Sequence, residues 1–168
     1  MAETSPSATP GSIRFRPGGP HDAEACAVVH LASAMLAYRD IFPPDTQPPT
    51  VADLAAGWTD AAWVAEDDGE VVGAVCIGPD AAVPSGWLLS RLYVHPSRWG
   101  AGVGSELLER AVASAWPAGA PAVNLWVLEP NTDARALYER RGWRLVPGPT
   151  LANDGTDAVD VLYQLDRP

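Results

Sequence analysis

The sequence predicts an α/β fold built on a mixed sheet, and three observations carry that prediction. Segments of alternating polarity, and segments with apolar residues at three- and four-residue steps, follow one another in the order β-α-α-β-β-β-α-β-α-β-β. One strand joins the next helix through three glycines spaced by one residue, Gly100, Gly102 and Gly104. The composition can build a core: 168 residues, 47% hydrophobic and 19% charged, at a length where about 70% of the unfolded surface can be buried. Residues 12–168 read as a single domain without internal repeats.

The elements are justified in order. Residues 1–11 are small, polar and proline-containing, a composition that cannot offset its ordering entropy, and a disordered tail is expected there. Ser12 to Arg16 alternates as a half-buried strand, and the Pro17-Gly18-Gly19-Pro20 run stops it. From Asp22 to about Tyr38, Ala25, Val28, Val29, Ala32, Met35 and Leu36 form a helical stripe, with Asp22 or His21 as cap. Ile41 to Pro49 is a proline-rich loop, and Thr50 caps a short helix over Val51–Trp58. Ala62–Ala65 and Val71–Ile77 flank an Asp67-Asp68-Gly69 turn and form a hairpin, because Asp-Gly supplies the positive φ of tight turns. Trp87–Val94 is apolar on both faces, as a central strand is.

After the glycines, Glu106–Trp116 places Leu107, Leu108, Ala111, Val112 and Ala115 on one stripe until Pro117. Val123–Leu128 is again strand. Thr132–Arg141 is a helix with Asn131 as cap, Asp133 in its first turn, Arg140 and Arg141 in its last and Gly142 at its exit. Strands near 143–146 and 158–165 complete the order.

Composition removes several chemistries. All eleven basic residues are arginine, so P-loop, Schiff-base and lysine-nucleophile mechanisms are excluded. The net charge of −10 is uneven: residues 1–90 hold 12 acidic residues against 3 arginines, residues 91–168 hold 9 against 8. Such a field repels nucleic acid and anionic membrane and attracts cations. Cys26 and Cys76 are far apart and flanked by apolar residues, which suits buried thiols in a reducing compartment, and no metal-ligand spacing occurs. With no signal-peptide pattern and no apolar run of about 18 residues, a cytoplasmic protein is expected.

The segment Val94-His95-Pro96-Ser97-Arg98-Trp99-Gly100-Ala101-Gly102-Val103-Gly104-Ser105 is where chemistry is expected. Glycines there let backbone N–H groups curl around a ligand, and a helix N-terminus offers unpaired donors to an anion. The Rossmann spacing fails, since the sixth position is Ser105 counted from Gly100 and Leu107 counted from Gly102. The spacing resembles instead the GNAT superfamily of N-acetyltransferases, which hold the pyrophosphate of acetyl-CoA in such a turn. The resemblance runs from Arg14 to Leu165 and is densest over Leu88–Val146. There Leu92-Tyr93-Val94-His95-Pro96, Trp99–Gly104, Leu125–Asn131 and Ala134-x-x-Leu137-Tyr138-x-x-x-Gly142-Trp143 fall in the family's order.

The resemblance implies a mostly antiparallel sheet with a splayed central strand pair. It implies that the Leu92-Tyr93-Val94 strand end pairs with the pantetheine arm of acetyl-CoA. Arg98, Trp99, Gly100, Ala101, Gly102, Val103, Gly104 and Ser105 would wrap the pyrophosphate, Asn131 and Ala134 would contact the cosubstrate, and Tyr138 would sit near the thioester sulfur. Trp99 departs from the family, which most often has Gln or Arg there; Arg98 is the neighbouring cation that could replace the missing donor.

The implied reaction is attack of a neutral amine on the acetyl thioester. A backbone N–H near Val94 would stabilise the oxyanion, and Tyr138, a phenol that stays protonated at neutral pH, would be the general acid. Trp126 stands where the branch acetylating protein N-termini has Glu, which speaks against a ribosomal-protein substrate. The base is left to Glu129, Asp40 or a water chain. The resemblance gives the substrate walls to the Tyr38-Arg39-Asp40-Ile41-Phe42-Pro43-Pro44 segment, with Tyr38, Asp40 and Trp126 as binding residues, and the acidic first half points to a cationic small-molecule amine: a polyamine, amino sugar or amino-acid derivative. Arg39 could instead bind a substrate carboxylate. The competing readings are a non-catalytic acetyl-CoA-binding module and a phosphate-ligand binding protein. A homodimer is expected from surface tryptophans.

Overall fold

The computed structural model describes residues 12–153 and 156–168, so the expected tail over 1–11 lies outside the described residues. Seven strands form one sheet in the order β1-β2-β3-β4-β5-β7-β6. They are β1 (Arg14–Pro17), β2 (Trp63–Asp67), β3 (Glu70–Pro79), β4 (Trp87–Val94), β5 (Ala122–Leu128), β6 (Arg144–Ala152) and β7 (Val159–Asp166). Neighbours are antiparallel except β4 and β5, which run parallel. The helices are α1 (Ala23–Ala37), α2 (Val51–Ala55), α3 (Val103–Ala115) and α4 (Thr132–Glu139), with short 3₁₀ turns at Pro20–Asp22, Ala56–Trp58 and Pro96–Arg98.

Two apolar layers flank the sheet. On one face Leu107, Leu108 and Ala111 of α3 pack with Val75, Leu89, Leu125 and Tyr163 from the strands and Tyr138 of α4. The approach of α3 is close because β3 has Gly73 beneath it: a Cβ there would lie 2.9 Å from Leu107 Cδ1 and 3.1 Å from Val103 Cγ1. On the opposite face Cys26 and Ala27 of α1 pack with Trp58, Val64, Ala74 and Cys76. Cys26 and Cys76 are free and buried, and burial pushes each thiol up to about 12.

Element boundaries moved where local chemistry is ambiguous. The Val51–Trp58 helix is one α-helical turn, capped by Thr50 and Asp53, that tightens into 3₁₀ at Ala56. α3 begins at Val103, three residues before the expected start at Glu106. The strand expected near 143–146 extends to Ala152, past Pro147 and Pro149; it is a sheet edge and its register shifts between Leu145 and Thr150, the place where proline is tolerated. Among the tryptophans only Trp99 is exposed, so surface tryptophans lend one residue to the expectation of a homodimer.

Arg16 ties the first strand to the rest. Its guanidinium donates to both oxygens of the buried Asp22 carboxylate, at 2.9 and 2.7 Å, and to Glu66 at 2.7 Å. Those bonds hold the Asp22 carboxyl below the usual carboxylate range.

Candidate active site

The site is a break in the sheet. β4 and β5 pair only at Leu88↔Asn124 and Leu89↔Leu125, although β4 continues to Val94 and β5 to Leu128. The cause lies next to the last pair: Cys76 is opposite Arg91 and Ile77 opposite Leu89, which leaves Ser90 as an extra residue. A bulge of this kind bends its strand and strengthens its twist, and β4 turns away from β5. A cleft of about 260 Å³ opens between them, lined by both strands and by Tyr38, Phe42, Asn131, Ala134, Tyr138 and Asp160.

At one end of the gap β4 leads through the Pro96–Arg98 turn into α3. Gly100 and Gly102 have φ of +75° and +82°, the left-handed region that glycine enters without cost. Among the described residues no acceptor bonds the N–H groups of Gly100, Gly102, Val103, Gly104 and Ser105, and a Cβ at either positive-φ glycine would meet nothing within 4 Å. These donors stand without a protein acceptor at the positive end of a 13-residue helix, so the turn fits a pyrophosphate. Arg98 is anchored from behind: its Nε donates to Asp67 Oδ2 at 2.7 Å, its Nη2 bonds the same oxygen, and its Nη1 donates to the Ser97 carbonyl. Trp99 donates its indole Nε1–H to the Val94 carbonyl at 2.7 Å, so neither side chain offers the turn an uncommitted donor of the kind Gln or Arg would supply.

Strand alternation separates the two faces of the gap. Val75, Leu125 and Tyr163 belong to the α3 layer and Ala74 and Cys76 to the α1 layer. Register then puts Tyr93 and Arg91, opposite Ala74 and Cys76, on the α1 face. It puts Trp126, Leu128 and Asp160 there as well, since Trp126 and Leu162 lie one step from the Leu125–Tyr163 pair. Tyr138 enters from the other face, held by α4. Asn131 caps that helix by accepting from Ala134 N–H at 3.3 Å, and Tyr163 locks it to β7 by donating to Glu139 at 2.6 Å and accepting from Arg135 at 3.0 Å. Tyr138 is buried beside Trp143 and Tyr163. Burial, and then proximity to Tyr38, push its phenol above the ordinary tyrosine range.

The α1 face carries the polar groups. Tyr38 and Tyr93 hydroxyls meet at 3.3 Å, and burial raises both phenols. His30 stacks on Tyr93 with 3.8 Å between ring centroids and accepts from Trp58 Nε1 at 3.3 Å. Burial and the charge of Arg91 lower His30 to about 4, so the ring is neutral at pH 7. Burial raises the Asp160 carboxyl, against an opposing bond from Asn153.

Of the residues expected from sequence, Leu92, Tyr93, Asn131, Ala134, Tyr138, Tyr38 and Trp126 line the cleft, whereas Val94 to Ser105 do not line it and continue β4 into α3. Glu129 and Asp40 do not line it. Glu129 is exposed beyond the end of β5, with its carbonyl taken by Arg135, and Asp40 is 87% exposed and paired with Arg39 at 3.3 Å. Phe42, from the expected Tyr38–Pro44 wall, lines the cleft too, and so do Asp160 and Arg91, which sequence reasoning missed. A charged residue inside an apolar strand is the signal that marks Asp160 and Arg91.

The model of the acetyltransferase (GNAT) family matches residues 31–143. The chain belongs to this family. Among curated proteins this GNAT acetyltransferase is 28% identical to a Mycobacterium tuberculosis protein named "Probable N-acetyltransferase Rv2775", over 94% of the chain and 96% of that protein. It is 32% identical to the mycothiol acetyltransferase of Beutenbergia cavernae over 80% of the chain, which spans 46% of that longer protein. Among solved structures, the PaiA N-acetyltransferase of Thermoplasma acidophilum in complex with coenzyme A superposes with a TM-score of 0.71 at 17% identity, covering 93% of this chain and 99% of that one. The protein is thus an acyltransferase with acetyl-CoA as cosubstrate. Among the described residues no helix is long and apolar enough to cross a membrane.

Proposed function

We propose that the protein transfers the acetyl group of acetyl-CoA to a primary amine of a small molecule, by direct attack within the β4–β5 gap. One observation carries the reading: a single cleft is lined by a buried tyrosine on one side and a carboxyl on the other, and the strand that forms its wall runs on through the turn of unbonded N–H donors into α3. Residues 100–105 bind the pyrophosphate, and the β4 edge from Leu92 to Val94 takes the place of a missing sheet partner for the pantetheine amides. The thioester then lies between Tyr138 on one side and Tyr93, Trp126 and Asp160 on the other.

Asp160 accepts one proton from the incoming ammonium, a role suited to a carboxyl whose affinity for protons is raised by burial. It replaces Glu129 and Asp40 as the base because it alone of the three reaches the cleft. The nitrogen forms the C–N bond at the thioester carbon, and β4 N–H groups left free by the splay stabilise the oxygen as it gains charge. As the C–S bond breaks, Tyr138 gives its proton to the sulfur and recovers one from the nitrogen. The products are an amide and the free thiol, with one proton released through Asp160. Thiol release from acetyl-CoA across cationic, zwitterionic and anionic amines tests this reading. Turnover of at least one amine, inhibited by desulfo-CoA and not by nucleotides, is expected. Tight CoA binding with no turnover would leave a non-catalytic acetyl-CoA-binding module.

A further inference from the structure

Resting on the transferase reading, we infer that the acceptor is an amine that also carries a carboxylate, an amino-acid-like zwitterion, and that Arg91 holds that carboxylate. Arg91 is half-buried in β4 and lines the cleft on the acceptor face. A guanidinium taken out of water is normally matched by a carboxylate. Among the described residues none lies within the 4.0 Å ion-pair distance of Arg91; Asp60, which contacts Cys76 at 3.9 Å, is exposed and forms no ion pair with it.

The cation is held in place by uncharged groups. It sits 6.0 Å from the Trp58 ring centroid and so close to Gly57 that a Cβ there would lie 2.5 Å from Nη2. Glycine at 57 is therefore a condition for the arginine's position. His30, the other basic group on this face, is neutral for the reasons given above. Arg39 stands at the rim already paired with Asp40. Among the described residues Arg91 is thus the one cleft-lining cation, it has no carboxylate partner, and its planar fork matches a carboxylate in bidentate geometry.

Asp160 stands across the gap on the same face, so the two residues complement the two ends of a zwitterion: carboxylate on Arg91, ammonium on Asp160. The remainder of the acceptor has a place to go. Tyr38 and Phe42 also line a second, mainly apolar recess of about 370 Å³ formed by α1 and the proline-rich loop. An amino-carboxylate with an apolar side chain satisfies all three features. A polyamine leaves Arg91 unpaired and faces repulsion from it.

The test compares leucine, methionine and phenylalanine with their carboxamides and with spermidine, in acetyl-CoA-dependent thiol release. In the wild type each free acid is expected to exceed its amide by about 100-fold in kcat/KM, the scale of losing a charge-assisted bidentate pair in a partly desolvated site. Arg91→Gln should raise KM for the acids and reduce the ratio to within a few-fold. Gly57→Ala, which displaces the guanidinium without removing its charge, should move the ratio the same way by a smaller factor. Binding of the N-acetylated acid to the CoA complex, followed by calorimetry, should weaken in both variants. Amides or spermidine preferred over acids in the wild type, or an acid-to-amide ratio unmoved by both variants, overturns the inference while leaving the transferase reading intact. CoA binding without thiol release from any amine overturns both.

Discussion

Replacing Tyr138 with Phe isolates one hydroxyl. The ring keeps its neighbours Trp143 and Tyr163, with centroids at 6.0 and 6.5 Å, so packing is unchanged. The hydroxyl donates to no described residue, and its removal strands no partner; the melting temperature should move by less than about 2 °C, the shift expected of a few tenths of a kcal/mol. The catalytic cost is set by what replaces the proton. A positioned general acid contributes about 10²–10⁴-fold. The cleft measures about 260 Å³, and a water needs about 30 Å³, so solvent can enter and protonate the thiolate in place of the phenol. The loss should therefore fall near the lower limit, about 100-fold in kcat, or roughly 2.7 kcal/mol. The KM for acetyl-CoA should stay within a factor of about two, because the donors for its phosphates lie at α3. Steady-state thiol release and CoA calorimetry on both proteins measure these quantities. A kcat within threefold of wild type would refute Tyr138 as the acid. An unchanged kcat with CoA binding weakened by an order of magnitude would show the hydroxyl to be a cosubstrate contact.

Asp160→Asn removes the base proposed above, and the acidic limb of the wild-type kcat/KM profile should go with it. That limb rises as the carboxyl deprotonates, above the ordinary carboxylate range because burial raises Asp160, and a limb that persists in the variant assigns the base elsewhere. Trp99→Arg exchanges an indole committed to the Val94 carbonyl for a cation beside the pyrophosphate, and calorimetry should show CoA binding about 10-fold tighter; unchanged or weaker binding would make the indole cap the greater contribution. Asp22→Asn breaks the two Arg16 bonds and should cost about 2 kcal/mol in denaturant unfolding at pH 7. Since the folded carboxyl titrates below its unfolded value, the difference from wild type is complete above the unfolded carboxyl pKa of about 3.9. It should fade as pH drops through the folded pKa, and a difference independent of pH would mean that packing, not charge, is lost.

What the sequence discloses here depends on whether a signal is local. Periodicity locates every strand and helix because burial on one face imposes it, and the glycines before α3 are legible because a phosphate turn is one contiguous segment. Boundaries shifted where the deciding contact is remote: β6 runs through Pro147 and Pro149 because nothing pairs on its outer side, a fact about sheet order that no window of β6 contains. The polar lining of the cleft is hidden from the sequence for the same reason. Trp87–Val94 reads as apolar on both faces only if Arg91 is passed over, and Asp160 in Val159-Asp160-Val161-Leu162 reads as a residue of a solvent face. The Ser90 bulge turns one into the floor of a cleft, and the β5–β7 register brings the other to its far side. Glu129 and Asp40 were chosen because they flank recognisable motifs, yet adjacency in sequence carried both out to solvent. The charges that face the cleft are those whose own strands give them no partner, and an arginine in the middle of a central strand is the point at which the sequence already poses the question of what binds there.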